Sequence, residues 1–206
     1  MSDNGHTDDE TGESGGQTGD AIPSGGLQQR KQVPQQILDP TASNRCIWTE
    51  ENKDRDDTLY CDIREEDAGF VEKGMDCNKN PNYNIKPDEV QDFRDLEYAD
   101  EQFNLIVFDP PHAVRPGGMK NLSGIATRKW GALHAETWQS DLRRGFAELW
   151  RVLKPGGTMI LKFADESADF EEVLSLAPEP PLFGTSSTNG TVETRWFVFY
   201  KEDCDV

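Results

Sequence analysis

With 206 residues, 34% of them hydrophobic, the chain suits one domain plus a tail and is too poor in apolar residues for two full domains. No run of about 18 apolar residues occurs and the first 30 residues hold no apolar signal core, so neither a membrane span nor secretion is predicted and the expected compartment is the cytoplasm. Acidic residues outnumber basic ones 39 to 21, a net charge of −18 that ordinarily disfavours polyanionic partners. The same balance describes proteins adapted to multimolar salt, where the Debye length falls to about 3 Å at 1 M. A halophilic host is therefore expected ahead of a DNA-mimicking role.

Residues 1–32 are Gly, Ser, Thr, Asp and Gln with almost nothing apolar, which predicts a disordered acidic polar tail. Residues 33–206 are expected to form the folded domain. Gln35 to Asp39 reads as a first strand and Thr58 to Ile63 as a second, each ending at or near an aspartate. Asp92-Phe93 falls where a third strand would end. Phe103 to Phe108 is the most apolar run, a short β-branched and aromatic stretch suited to a sheet covered on both faces. It must stop at Asp109-Pro110-Pro111-His112, because prolines supply no N–H to a ladder.

Trp138 to Leu153 carries Leu142, Phe146, Leu149, Trp150 and Leu153 at helical spacing, and Lys154-Pro155-Gly156-Gly157 ends it. Thr158 to Phe163 reads as a strand, Phe170 to Leu176 as a short helix and Thr194 to Lys201 as a final strand. Strands alternating with helices predict an α/β fold, a doubly wound, mostly parallel sheet with helical layers on both faces. Trp138, Trp150 and Trp196 are expected in the core; Trp48 stays undecided. Cys46, Cys61, Cys77 and Cys204 lack a CxxC pattern and only His6, His112 and His134 could assist them, so no metal site is predicted.

In open α/β sheets ligands bind beyond the carboxyl ends of the strands. Asp39-Pro40-Thr41-Ala42-Ser43-Asn44 is a small-residue turn that a ligand could approach closely, without the glycine spacing of a pyrophosphate cradle. About 23 residues on, Asp62 is placed to accept from ribose hydroxyls, and Asp92-Phe93 to meet an adenine edge. From Ala113 to Ala135 there is only one class of charge: Arg115, Lys120, Arg128 and Lys129, with Trp130 and His134 among them and no acid. In so acidic a chain that predicts a mobile substrate loop, positive against phosphates and with Trp130 able to stack on a base. The competing reading is a loop that only packs over the site.

In this order these features resemble the class I S-adenosylmethionine-dependent methyltransferases. The set Arg45-Cys46-Ile47-Trp48, Tyr60-Cys61-Asp62-Ile63-Arg64, Phe108-Asp109-Pro110-Pro111-His112, Lys129-Trp130-Gly131, Arg151-Val152-Leu153-Lys154-Pro155-Gly156-Gly157 and Pro181-Leu182-Phe183-Gly184 is similar to small phage and prophage DNA adenine-type enzymes of that family. The resemblance covers residues 36 to 201. It implies a Rossmann-like seven-stranded sheet with one antiparallel strand, Thr194 to Lys201, and S-adenosyl-L-methionine as cofactor. It further implies that Asp39 and Pro40 to Asn44 hold the methionine part, Asp62 the ribose, and Asp92 with Phe93 the adenine. Asp109, Pro110, Pro111 and His112 would form the catalytic motif, and a phage or provirus origin follows.

The chemistry supports that motif independently. An exocyclic amine is a poor nucleophile because its lone pair is delocalised into the ring; a carboxylate and a proline carbonyl can draw its N–H bonds out of plane and stabilise the cationic transition state. A base in a duplex would have to be flipped out to reach them. His112 stands where the amino-methylating pattern has a larger aromatic ring, which leaves target identity open. Adenine N6 in DNA is the leading acceptor; RNA or a small molecule, and a non-catalytic methyltransferase-like interaction protein, are the alternatives.

Overall fold

The computed structural model describes residues 30–75, 81–189 and 191–203. Most of the expected tail, residues 1–29, lies outside the described residues, as do Cys77 and Cys204.

The strands, in chain order, are β1 (Ile37–Asp39), β2 (Thr58–Asp62), β3 (Glu89–Val90), β4 (Phe103–Phe108), β5 (Val114–Arg115), β6 (Leu133–His134), β7 (Leu153–Ala164), β8 (Phe183–Asn189) and β9 (Val192–Tyr200). The helices are α1 (Ile125–Trp130), α2 (Trp138–Val152) and α3 (Phe170–Leu174). Seven strands form one sheet in the order β3-β2-β1-β4-β7-β9-β8, and β5 pairs with β6 in a separate small one. From β3 through β7 all neighbours are parallel; β9 runs antiparallel to both β7 and β8. The fold is thus α/β and Rossmann-like, with a mostly parallel seven-stranded sheet and β9 reversed. The chain winds outward from β1 to β3, then returns to β4 on the other side of β1, so the switch point lies between β1 and β4.

The apolar spacing of α2 does what it predicts. Leu142, Phe146, Leu149 and Val152 are fully buried against the sheet, with the Phe146 ring edge-on to Phe108 at 5.6 Å and 6.4 Å from Phe199. Trp138 and Trp150 pack against the same core. A smaller cluster of Val71, Tyr83 and Ile85 has Phe70 and Ile125 packed on it, which joins α1 to the β2–β3 connection.

Three features differ from the sequence reading. First, the helical layers are thin, because the described residues of the β1–β2 and β2–β3 connections form turns, bends and short bridges and include one short 3-10 segment, Glu50–Asn52. Those connections are rich in Asp, Asn, Gly and Pro and lack the 3.6-residue apolar period that would bury a helix face. Second, Lys154-Pro155-Gly156-Gly157 is a bulge inside β7: Phe103 pairs with Leu153 but Leu105 with Thr158, and Gly156 takes φ +74°. Third, β8 (Phe-Gly-Thr-Ser-Ser-Thr-Asn) is an edge strand with little apolar content, so composition did not mark it.

Candidate active site

Asp39, Asp62 and Asp109 end or follow β1, β2 and β4, and Asp92 follows β3, so the parallel sheet brings all four aspartates to one edge. A cavity of about 1080 Å³ opens there. Of the residues singled out from sequence, Pro40, Thr41, Ala42, Ser43, Asp62, Asp92, Phe93, Asp109, Pro110, Pro111, His112, Arg115, Lys120 and Trp130 line it. Asp39, Asn44, Arg128 and Lys129 do not reach its wall.

Asp39 is an internal strut. Its Oδ1 accepts from the Thr41 backbone N–H at 3.1 Å and its Oδ2 from the Trp48 indole at 2.7 Å, and no part of it is exposed. Complete burial pushes its carboxyl up to about 7, against those two hydrogen bonds and aided by the charges of Asp109 and Asp62. Trp48, undecided from sequence, is therefore a donor to this buried acid, with its ring edge-on to Tyr60 at 5.2 Å.

The turn that follows lacks glycine yet takes glycine's conformations. Ser43 has φ +50° and Arg45 φ +58°, a left-handed geometry that costs a non-glycine residue about 1–2 kcal/mol. Tertiary bonds hold it. The Ser43 N–H donates to Asp62 Oδ2 at 3.1 Å, and its hydroxyl meets Tyr83 Oη at 2.8 Å and the Lys129 carbonyl at 3.1 Å. Arg45 donates to the Lys53 and Lys86 carbonyls and to Asp54 and Asp88, with its guanidinium 4.0 Å above the Tyr60 ring.

Asp62 is nearly buried. Besides Ser43 it accepts from the Arg64 backbone N–H at 2.9 Å and Arg64 Nε at 3.3 Å. Three of about four carboxylate acceptor positions are thus filled, which leaves room for one further donor, fewer than the pair of hydroxyls a ribose presents. Asp92 is more fully committed: Arg94 meets both its oxygens through Nε, Nη2 and the backbone N–H, and reaches on to Asp141 of α2 at 2.9 Å. Burial alone would raise Asp92, and Arg94 outweighs it to hold the carboxyl below the ordinary range. The wall at that end is left to the Phe93 ring, tilted on Phe108 at 5.2 Å, and to half-exposed Ile63.

At the other end, the Asp109 backbone N–H donates to Thr41 Oγ1 at 3.0 Å, tying β4 to the first turn. Its carboxylate receives His112 Nε2 on Oδ1 at 3.0 Å and Lys162 Nζ at 3.1 Å to Oδ1 and 2.8 Å to Oδ2. Burial would raise Asp109, but the His112 hydrogen bond and the Lys162 charge more than offset it and hold the carboxyl below its usual value, ionised at neutral pH. The His112 ring is edge-on to Phe163 at 5.1 Å. Sequence reasoning missed Lys162. Its signal was a lone cation in the apolar run Thr158 to Phe163, in phase with half-buried Ile160 and out of phase with buried Met159, Leu161 and Phe163.

The acid-free segment is a folded lobe made of β5, a 3-10 turn at Gly118–Lys120, α1 and β6. Arg64 Nη1 and Nη2 hold the Arg128 and Lys129 carbonyls, and Arg128 donates to the Val71 and Lys73 carbonyls. Three of its four cations are already engaged. Arg115 pairs with Glu166 at 2.7 Å and meets Ser167, Arg128 is bound as above, and Lys129 lies 4.8 Å from the Tyr83 ring centre and 5.5 Å from that of Trp130. Lys120, exposed at the rim, pairs with no described acid, and Trp130 is 50% exposed. The expected row of phosphate contacts is thus reduced, because acids and carbonyls distant in sequence fold onto it.

No protein-family model and no curated protein matches the chain. Among solved structures it is similar to the PH0226 protein of Pyrococcus horikoshii (15% identity, TM-score 0.45, 81% of this chain and 82% of that one). It is also similar to the Thermus thermophilus 16S rRNA methyltransferase RsmC, solved with AdoMet and guanosine (15%, TM-score 0.42, 84% of this chain but 36% of that one). A SAM-dependent methyltransferase from Methanosarcina mazei matches at 12% identity and TM-score 0.42, over 82% and 93% of the two chains. No helix among the described residues is long and apolar enough to cross a membrane.

Proposed function

We propose that the protein is an S-adenosylmethionine-dependent methyltransferase acting on an exocyclic nucleobase amine, adenine N6 in DNA being the leading acceptor. The observation that carries this reading is that Asp62, at the end of β2, and the Asp109-Pro110-Pro111-His112 segment, after β4, face one cavity at the switch point of the sheet. Its volume is that of a site for a drug-sized ligand and more, which suits a nucleoside-bearing donor and a base together. The turn at Thr41 to Ser43 and Asp62 would hold the donor's amino-acid and ribose parts, and Phe93 with Ile63 its adenine.

The donor, when bound, supplies a strongly electrophilic methyl group, so the protein's task is placement and charge complementarity. Asp109 and the Pro110 carbonyl would each accept one N–H of the amine, rotating its lone pair out of the ring. Asp109 would then take up the proton that the alkylated nitrogen loses. Trp130 would stack on the base. With three of the lobe's cations engaged, stacking and the base pocket outweigh phosphate contacts in this site, and concentrated salt would weaken those contacts further. That same observation favours, as second reading, an RNA or small-molecule acceptor whose base arrives unpaired.

The test is to incubate the protein with labelled donor and separated DNA, RNA and metabolite pools at several potassium chloride concentrations. Label in DNA, lost in Asp109→Ala with folding retained, is the expected result. Label only in RNA or metabolites transfers the assignment to the second reading. No donor binding by calorimetry to folded protein overturns both.

A further inference from the structure

We propose that Lys162 is a positioning residue of the acceptor site: with His112 it clamps the Asp109 carboxylate, so that this group meets the acceptor amine already oriented and already ionised. The inference rests on the methyltransferase reading of the same cavity.

Lys162 lies on β7, one step beyond the Phe108–Leu161 register pair, so the sheet itself sets it beside Asp109. Its Nζ spans both carboxylate oxygens, at 3.1 and 2.8 Å, and His112 Nε2 shares Oδ1 with it at 3.0 Å. Both side chains are largely covered, 22% exposed for Lys162 and 16% for Asp109, and the ammonium lies 5.9 Å from the Trp196 ring centre. A half-buried ion pair placed only for stability is a poor device, since apolar side chains of like size do as well. Placed in a cavity wall it has another consequence. Of about four acceptor positions on the carboxylate, His112 takes one and Lys162 two, leaving one on Oδ2. The acceptor amine then has one N–H for Asp109 and one for the Pro110 carbonyl, which fixes the rotation of the amine before the donor methyl arrives.

Lys162 also answers a problem of charge. Asp109 is the carboxylate that carries the charge at this sheet edge: burial and the Asp109 charge raise both the Asp39 carboxyl of β1 and the Cys46 thiol of the first turn, favouring their protonated forms. The burial of Asp109 is offset by His112 on the same segment and Lys162 on β7. Removing Lys162 leaves burial opposed by His112 alone, so the Asp109 carboxyl moves up. The acidic limb of methyl transfer then moves to higher pH, because the competent carboxylate is lost as pH falls through a higher midpoint.

The test compares wild type, Lys162→Met and Lys162→Arg in high potassium chloride, with two readouts: the titration midpoint of Asp109 by carboxyl carbon NMR, and the pH profile of kcat. Lys162→Met is expected to raise the midpoint, move the acidic limb with it and lower kcat at neutral pH by about 100-fold, the scale of a misplaced reacting group. Donor affinity should stay unchanged. Lys162→Arg should restore midpoint and limb. Should Lys162→Met fail to fold, Lys162→Gln serves the same comparison. An unchanged midpoint and limb in a folded variant overturn the positioning role. A midpoint that shifts in protein transferring no methyl group to any acceptor overturns the methyltransferase reading instead.

Discussion

Arg64 and Asp62, two residues apart, join the sheet edge to the lobe. The Arg64 Nε and backbone N–H hold Asp62 Oδ1, while its two terminal nitrogens hold the carbonyls of Arg128 and Lys129, 64 and 65 residues away. The acid assigned to the donor ribose and the wall assigned to the acceptor are therefore braced by one guanidinium. Arg64→Lys keeps a positive charge near Asp62 but lacks the planar fork that spans both carbonyls. It should lower stability by about 1–3 kcal/mol and raise amide hydrogen exchange selectively within residues 113–135. Unchanged exchange in that segment would rule out the brace.

Arg45 offers a test of strain. Its left-handed φ of +58° suits glycine better than any other substitute, whereas its side chain makes four hydrogen bonds and stacks on Tyr60. Both Arg45→Ala and Arg45→Gly lose those contacts, at about 2–4 kcal/mol. Glycine recovers about 1 kcal/mol of backbone strain. Denaturant midpoints should thus order wild type above Gly above Ala.

Gly145 lies buried in α2, where alanine would ordinarily stabilise the helix by about 1 kcal/mol. Here an added Cβ would come within 2.4 Å of the Phe93 ring, which lines the cavity. Gly145→Ala should therefore destabilise by about 1–3 kcal/mol and weaken donor binding by displacing Phe93. Adding Phe93→Leu, which frees space, should recover part of the stability. A purely additive double-mutant cycle would contradict the contact.

Asp39 sets a pH dependence. Its carboxyl is raised from 3.8 to about 7 by burial, so the folded state favours the protonated form. Its contribution to stability is fully present below about pH 4 and lost as pH rises through 7, by about 4 kcal/mol at most. Asp39→Asn, though less stable because an amide cannot accept from both Thr41 and Trp48, should show a flatter stability curve between pH 4 and 7. Chemical denaturation across that range checks the slope.

The parallel sheet, and the edge at which its aspartates gather, were legible in the sequence. The apolar run Phe103 to Phe108 halted by two prolines, the period of α2, and the aspartates at strand ends are local patterns, and they survive because burial of one face enforces them. Contacts between distant segments decided the rest. Chain order does not reveal that β4 and β7 are neighbours, so Lys162 could not be matched to Asp109; nor that Glu166, the Val71 and Lys73 carbonyls and Tyr83 would engage the cations of the acid-free segment. A glycine-free turn reads as unfit for a tight approach until Asp62, Tyr83, Asp54 and Asp88 are seen to hold Ser43 and Arg45 in glycine's geometry. Periodicity encodes which face is buried; only the folded chain fixes which charges meet, because a carboxylate's partner is chosen by distance in space.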